Sequence, residues 1–168
     1  GKIGFDRLVW KKINHTKNKI IYQVKSKHLD QGFPGNLIVN CIYKIFKNEL
    51  LIQYTYKSDL PTHVNLTNHS YWNLNRDKVK NIFNHDLKIN SDKYLKVDNS
   101  LIPNGKITNV KNSIYNFKKL SNLKDKIDLL LNEKKLKKIN QSGFDTTYSI
   151  IKNSKNYVAS LSNKKNDI

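Results

Sequence analysis

The residues best equipped for chemistry fall in one run, Thr62-His63-Val64-Asn65-Leu66-Thr67-Asn68-His69-Ser70-Tyr71-Trp72-Asn73-Leu74. Its second half sets the imidazole of His69 among amides, a hydroxyl and two aromatic rings. Imidazole titrates near neutrality and so gives or takes a proton at low cost. Aromatic rings cover the C–H faces of a pyranose while amides and hydroxyls take its hydroxyl groups. These residue types therefore point to a sugar site with His69 moving the proton. The plainer reading, that a single histidine near a strand end is structural or simply exposed, stands beside it.

Positioning such a run falls to strands. Thr62, Val64 and Leu66 alternate with polar neighbours, the pattern of a half-buried strand, and Asp59-Leu60-Pro61 turns the chain into it. Upstream, Ile20–Val24 reads as a short strand, and Leu37–Phe46 and Leu50–Tyr56 as two alternating strands joined at Lys47-Asn48-Glu49. Between them His28–Gly35 is a polar turn in which glycines supply positive φ and Pro34 fixes a bend. Gly4-Phe5-Asp6 reads as a turn leading into Leu8-Val9-Trp10.

Downstream, Asp86–Asn90 and Tyr94–Val97 are short strands, and Leu101–Ile107 is a turn between extended pieces. Asp125–Ile139 is the one helix candidate, with Ile127, Leu130, Leu131, Leu136 and Ile139 as an imperfect stripe among lysines. Ser142–Ile150 and Tyr157–Leu161 return to strand pattern. Strand-length runs with short turns and one late helix argue for an antiparallel all-β architecture.

The chain has 168 residues and a formal net charge of +18, a balance that ordinarily directs attention to nucleic acid or an anionic membrane. Here the lysines are spread along the chain and gather in no basic arm, which fits solvated strand faces, and nucleic acid is set aside as a partner. The helix candidate likewise reads as a solvated surface helix before a nucleic-acid helix. The single cysteine, Cys41, lies in an apolar run, excludes an internal disulfide and fits a reducing, cytoplasmic setting. No apolar stretch approaches the roughly 18 to 20 residues of a membrane span, and the chain opens without a signal-peptide pattern.

The wording of the run carries more than its chemistry. Asn65-Leu66-Thr67-Asn68-His69-Ser70-Tyr71-Trp72-Asn73-Leu74 closely resembles the signature of the aldose 1-epimerase (galactose mutarotase) family over ten consecutive positions, with Trp72 where that family usually has Phe. Other stretches resemble family segments in the same order. They are Gly4-Phe5-Asp6 leading to Trp10, Gly32-Phe33-Pro34-Gly35, Leu101–Ile107 with Asn104 for Thr, and Tyr115-Asn116-Phe117 with Asn116 for an acid. Gly143-Phe144-Asp145 resembles the element whose Asp holds sugar hydroxyls, although Thr146-Thr147 replaces its His-Asn. Taken without the resemblance, Asp145 reads as a turn residue capping a strand.

The resemblance implies a single galactose mutarotase-like domain over residues 1–168, a large twisted antiparallel β-sandwich with the sugar in a groove on a sheet face. It implies interconversion of the α and β anomers of a hexose such as glucose or galactose, with no cofactor and no metal. A base removes the proton of the anomeric hydroxyl while an acid protonates the ring oxygen. The ring opens to an aldehyde, the C1–C2 bond rotates, and closure on the other carbonyl face reverses the two roles. His69 takes the acid role, and Ser70, Tyr71 and Asp145 contact sugar hydroxyls.

The family's base is a Glu near the C-terminus and its upstream His precedes a Gly-Gly pair. Glu49 and Glu133, the chain's only glutamates, stand in neither context, and Gly1 matches the last residue of the upstream element. The expectation is a partial chain of the family. A catalytically inactive carbohydrate-binding relative is the alternative.

Overall fold

The computed structural model describes residues 3–76, 81–133, 143–150 and 157–163. The chain divides into two compact units, Gly1–Ser70 and Tyr71–Ile168.

The first unit is a four-stranded antiparallel sheet in chain order: β1 (Lys11–Thr16), β2 (Lys19–Ser26), β3 (Leu37–Phe46) and β4 (Glu49–Ser58). The β3–β4 hairpin closes through Lys47 and Asn48, with Lys47 at φ 53°, so the expected pair of strands and its turn hold to within two residues. β1 has no counterpart among the sequence expectations. All six of its residues are exposed, and an edge strand wet on both faces carries no alternation to read.

The period of two assigns the residues of this sheet to two faces. Val24 pairs with Val39 and Tyr22 with Cys41, while Cys41 in turn pairs with Tyr54. One face therefore carries Tyr22, Val24, Leu37, Val39, Cys41, Tyr43 and Tyr54. Its buried centre is Val24, Leu37 and Val39. Removing side chains of this kind from water stabilises by about 1.5–3 kcal/mol each. The opposite face carries Lys19, Lys25, Lys44 and Lys57, together with a polar row in which Gln23 donates to Asn40 (2.9 Å) and Asn40 to Thr55 (3.3 Å).

The β2–β3 loop ends in a tight corner. Gly35 has φ +84°, and a Cβ there would lie 2.5 Å from the Ser58 hydroxyl. Beside it the Asp59 carboxylate accepts from both the backbone N–H and the side-chain amide of Asn36, each at 2.6 Å. The Asn36 side-chain bond, then its backbone bond, hold the Asp59 carboxyl below its ordinary pKa.

Thr62–Leu66 departs from expectation. Its burial alternates as the sequence implies, with Thr62, Val64 and Leu66 half-buried and His63 and Asn65 exposed, yet it joins no sheet among the described residues. Val64 and Leu66 pack on the Val24–Leu37–Val39 centre instead. The period of two here records a segment laid across a sheet face, which buries alternate side chains without a ladder partner.

The second unit holds two three-stranded antiparallel sheets. One has the order β10-β5-β8, from β5 (Asp86–Ile89), β8 (Ser121–Asn122) and β10 (Ala159–Ser162). The other has the order β7-β6-β9, from β6 (Lys93–Val97), β7 (Pro103–Asn109) and β9 (Tyr148–Ser149). Pro103–Asn109 is thus a strand where a turn was expected. The turn proper lies at Asp98–Ile102, with Leu101 at φ 63°, and Pro103 takes the first strand position, where its missing N–H costs least. Of Ser142–Ile150 only Tyr148–Ser149 pairs among the described residues.

Helix α1 (Leu123–Asn132) starts two residues earlier than expected because the Asn122 side chain caps it, accepting from the Lys124 N–H at 3.0 Å. It buries Leu123 and Leu130, whereas Leu131 faces solvent; Leu136 and Ile139 lie outside the described residues. An aromatic chain fills this unit's core: Phe117 meets Phe144 edge-on at 5.0 Å, and Phe144 meets Tyr115, which lies 4.6 Å from Tyr94.

The Tyr148 hydroxyl donates to the Tyr115 carbonyl (3.0 Å), and burial drives its pKa far above the ordinary phenol value. A pKa raised by folding gives stability that is complete below the unfolded value near 10 and is lost as pH rises toward the folded one. Chemical melts should therefore weaken from about pH 10 upward, and Tyr148→Phe should flatten that fall. An equal fall in the variant would show that Tyr148 is not its source.

Candidate active site

The groove that contains His69 lies on the apolar face of the four-stranded sheet. It encloses about 850 Å³ and is lined by Phe5, Asp6, Trp10, Tyr22, Cys41, Tyr43, Tyr54, Asn65, Leu66, Thr67 and His69. Tyr22 and Tyr43 meet edge to face at 6.4 Å, as do Phe5 and Trp10. The Trp10 indole N–H donates to the Phe5 carbonyl at 2.8 Å, which fixes that ring at the groove wall. Burial, followed by a hydrogen bond to Cys41, raises the Tyr43 pKa. Burial also raises that of Tyr54, against an opposing hydrogen bond from Asn68. At neutral pH the groove therefore presents neutral phenols, which both donate and accept.

His69 is held there by short-range chemistry. The Tyr54 hydroxyl donates to the Thr67 carbonyl at 3.3 Å, tying the signature to β4. Asn68 Oδ1 then accepts from the backbone N–H of Ser70 (3.3 Å) and from its hydroxyl (2.7 Å), closing an Asx turn with His69 at its apex. The Ser70 hydroxyl, expected to meet sugar, is thus also the residue that shapes the His69 turn.

The remaining expected residues belong to the second unit. Tyr71 is 89% exposed. Asp145 is exposed and lines a cavity of about 360 Å³ together with Tyr94, Asp98, Tyr115, Glu133 and Thr146. Glu133 caps the C-terminal end of α1, and Glu49 starts β4 at the hairpin tip. Among the described residues no three His, Cys, Asp or Glu side chains converge as metal ligands, and no helix is long and apolar enough to cross a membrane.

Sequence reasoning did not assign Trp10, Tyr22, Tyr43 and Tyr54 to the site. The signal was present as parity: Tyr22 shares its strand face with Val24, and Tyr43 with Val39 and Cys41. Register then brings Tyr54 opposite Cys41.

The family profile described as aldose 1-epimerase matches residues 4–168, and the chain belongs to that family. The aldose 1-epimerase of Haemophilus influenzae is 38% identical over 120 residues, covering 70% of this chain and 35% of that protein. The galactose mutarotase of Bos taurus is 33% identical over 150 residues, covering 89% of this chain and 41% of that protein.

Among solved structures, a galactose 1-epimerase from Lactobacillus acidophilus superposes with a TM-score of 0.78 at 25% identity, covering 94% of this chain and 46% of that one. A GalM/aldose epimerase homologue from C. elegans gives 0.76 at 23% identity, covering 95% and 46%. The expected family and all-β fold are borne out. The chain spans between a third and a half of the length of the proteins it matches.

If Leu66 is what seats the His69 turn, Leu66→Ala should cost about 1–3 kcal/mol in denaturant melts, below a fully buried leucine because the site is half-exposed. It should also loosen the Thr67–Ser70 amides in hydrogen exchange. Unchanged stability and exchange would remove the apolar seat from the account.

Proposed function

We propose that this chain carries the acid half of an aldose 1-epimerase site, within one mutarotase-like domain read over residues 1–168. The substrate is a hexose such as glucose or galactose. The observation that carries the reading is the placement of His69, the signature histidine, in a groove walled by Trp10, Tyr22, Tyr43 and Tyr54. The rings offer stacking surface for the sugar's C–H faces, and their hydroxyls, with Asn65 and Thr67, offer hydrogen bonds to its oxygens.

His69 protonates the ring oxygen as the ring opens and takes that proton back as it closes. An imidazole does both near neutral pH without a metal or an organic cofactor. Asp145 is assigned to accepting hydroxyl hydrogen bonds on its Gly-Phe-Asp context. Tyr71, whose ring is open to solvent, is assigned to a hydroxyl contact, and Ser70 to a second one beside its role in the turn. Neither Glu49 nor Glu133 is assigned the base. A reducing, cytoplasmic setting fits Cys41, a buried thiol in the groove wall.

Polarimetry of freshly dissolved α-D-glucose or α-D-galactose tests the reading. The chain should accelerate mutarotation, and His69→Ala should reduce that acceleration on the order of a hundredfold. A His69→Ala variant as fast as the parent would end the assignment. Sugar binding without acceleration would instead identify a binding-only relative. Asp145→Asn should weaken galactose binding in calorimetry by about tenfold, the loss of one charge-assisted hydrogen bond. Unchanged affinity would return Asp145 to a turn residue.

A further inference from the structure

His85 is a fully buried imidazole that the reaction does not use. It sits one residue ahead of β5, and its backbone is fixed on both sides. Its N–H donates to Ile82 (3.0 Å), and its carbonyl accepts from the N–H of Leu123 (2.9 Å) and the amide of Asn122 (3.3 Å). Its ring is turned to a different part of the chain. Nε2 accepts from the backbone N–H of Leu74, the last signature residue, at 2.8 Å, and Nδ1 lies 3.1 Å from Asn84 Oδ1.

These partners leave one protonation state. A nitrogen that receives an N–H carries no proton of its own, and a carbonyl-type oxygen can only accept. His85 is therefore the neutral Nδ1–H tautomer, donating to Asn84 and accepting from Leu74. Asn84 is oriented independently, because its Nδ2 donates to Asn75 Oδ1 at 2.8 Å and to Asn163 Oδ1 at 3.4 Å, which turns its Oδ1 to the ring. Asn163, also fully buried, donates to Asn75 Oδ1 (3.0 Å) and to the Leu74 carbonyl (3.5 Å). Leu74 is thus held by both its N–H and its C=O, and the circuit closes on Leu74 and Asn75.

Burying a neutral imidazole in place of an apolar side chain is costly unless its polar atoms are used. Here neither ring atom bonds the sheet; one bonds the signature directly and the other bonds the residue that fixes the tautomer. From Leu74 back to Tyr71 is three residues, at most about 11 Å of extended chain. A grip on the Leu74 amide therefore limits where the Tyr71 ring can stand.

We propose that His85 is a positioning residue for sugar binding: through the Leu74 amide it fixes the backbone of Tyr71–Asn73 and so the sugar-contacting ring of Tyr71. The inference rests on the proposed epimerase function for its sugar readout and on geometry alone for the grip itself.

The test compares the parent chain with His85→Leu and His85→Gln, whose Oε1 reaches close to the place of Nε2. Galactose affinity and KM, polarimetric kcat and amide hydrogen exchange are measured on each. His85→Leu should raise KM and Kd for galactose about tenfold. Its kcat should change less than about threefold, the split expected when ground-state binding alone is lost. The Leu74 amide should exchange faster while β2–β4 amides keep their rates, and His85→Gln should recover most of the affinity. If His85→Leu does not fold, Asn84→Leu, which removes the group that sets the tautomer together with its bonds to Asn75 and Asn163, should shift affinity in the same direction.

The proposal is overturned if the Leu74 amide exchanges at the parent rate in a folded His85→Leu chain. It is equally overturned if sugar affinity is unchanged while exchange rises throughout. A parent chain that neither binds nor turns over sugar would defeat the epimerase reading, leaving the Leu74 exchange rate to decide the grip.

Discussion

The structure's working part depends on an apolar seat. Val64 and Leu66 rest on Val24, Leu37 and Val39, and the stretch that leads to His69 is seated by that contact. Once those two side chains are down, Asn65 between them is left exposed at the groove, and Thr67 and His69 emerge there after it. Tyr54 then needs only one hydrogen bond to Thr67, and Asn68 only its bonds to Ser70, to set His69 at the apex of a turn. A histidine placed by packing and an Asx turn loses little further freedom when it meets a ligand, which is the condition for useful proton transfer.

The net charge of +18 leaves this site untouched. All four lysines of β2–β4 lie on the face opposite the groove, as strand parity requires. The ion pairs Lys118–Asp92 and Lys124–Asp128 join side chains that are about half exposed, a setting in which pairs contribute little. The Asp128 carboxylate raises the pKa of Lys124, a local effect on the outer face of α1. The lysines of β2–β4 and of these two pairs thus lie on solvated surface, while the groove wall carries phenols, an indole and a thiol, with Asp6 and His69 beside them.

Much of the first unit was legible because its strands obey a period of two and its turns use recognisable residues. Leu37–Phe46 buries alternate positions at Leu37, Val39 and Cys41, and a two-residue turn leaves it and Glu49–Ser58 one register. Two of its segments escape that pattern. Lys11–Thr16 has no buried face to announce it, and Thr62–Leu66 has the burial of a strand without a ladder. In the second unit the strands are two to seven residues long, and their core is the ring cluster Tyr94–Tyr115–Phe144–Phe117, assembled from residues far apart in sequence. No local pattern encodes that cluster, nor the His85–Leu74 bond eleven residues apart. His69 was legible through the wording of its run, the groove tyrosines only through register.

The central claim is that the tyrosine-walled groove beside His69 receives a hexose, and the most direct measurement maps that contact. D-galactose titrated into the isotope-labelled chain should shift the His69 imidazole and the Tyr22, Tyr43 and Tyr54 ring resonances together along one saturating curve. The lysines of the opposite face should not respond. Groove resonances that stay fixed while galactose binds elsewhere, or does not bind at all, would contradict the account.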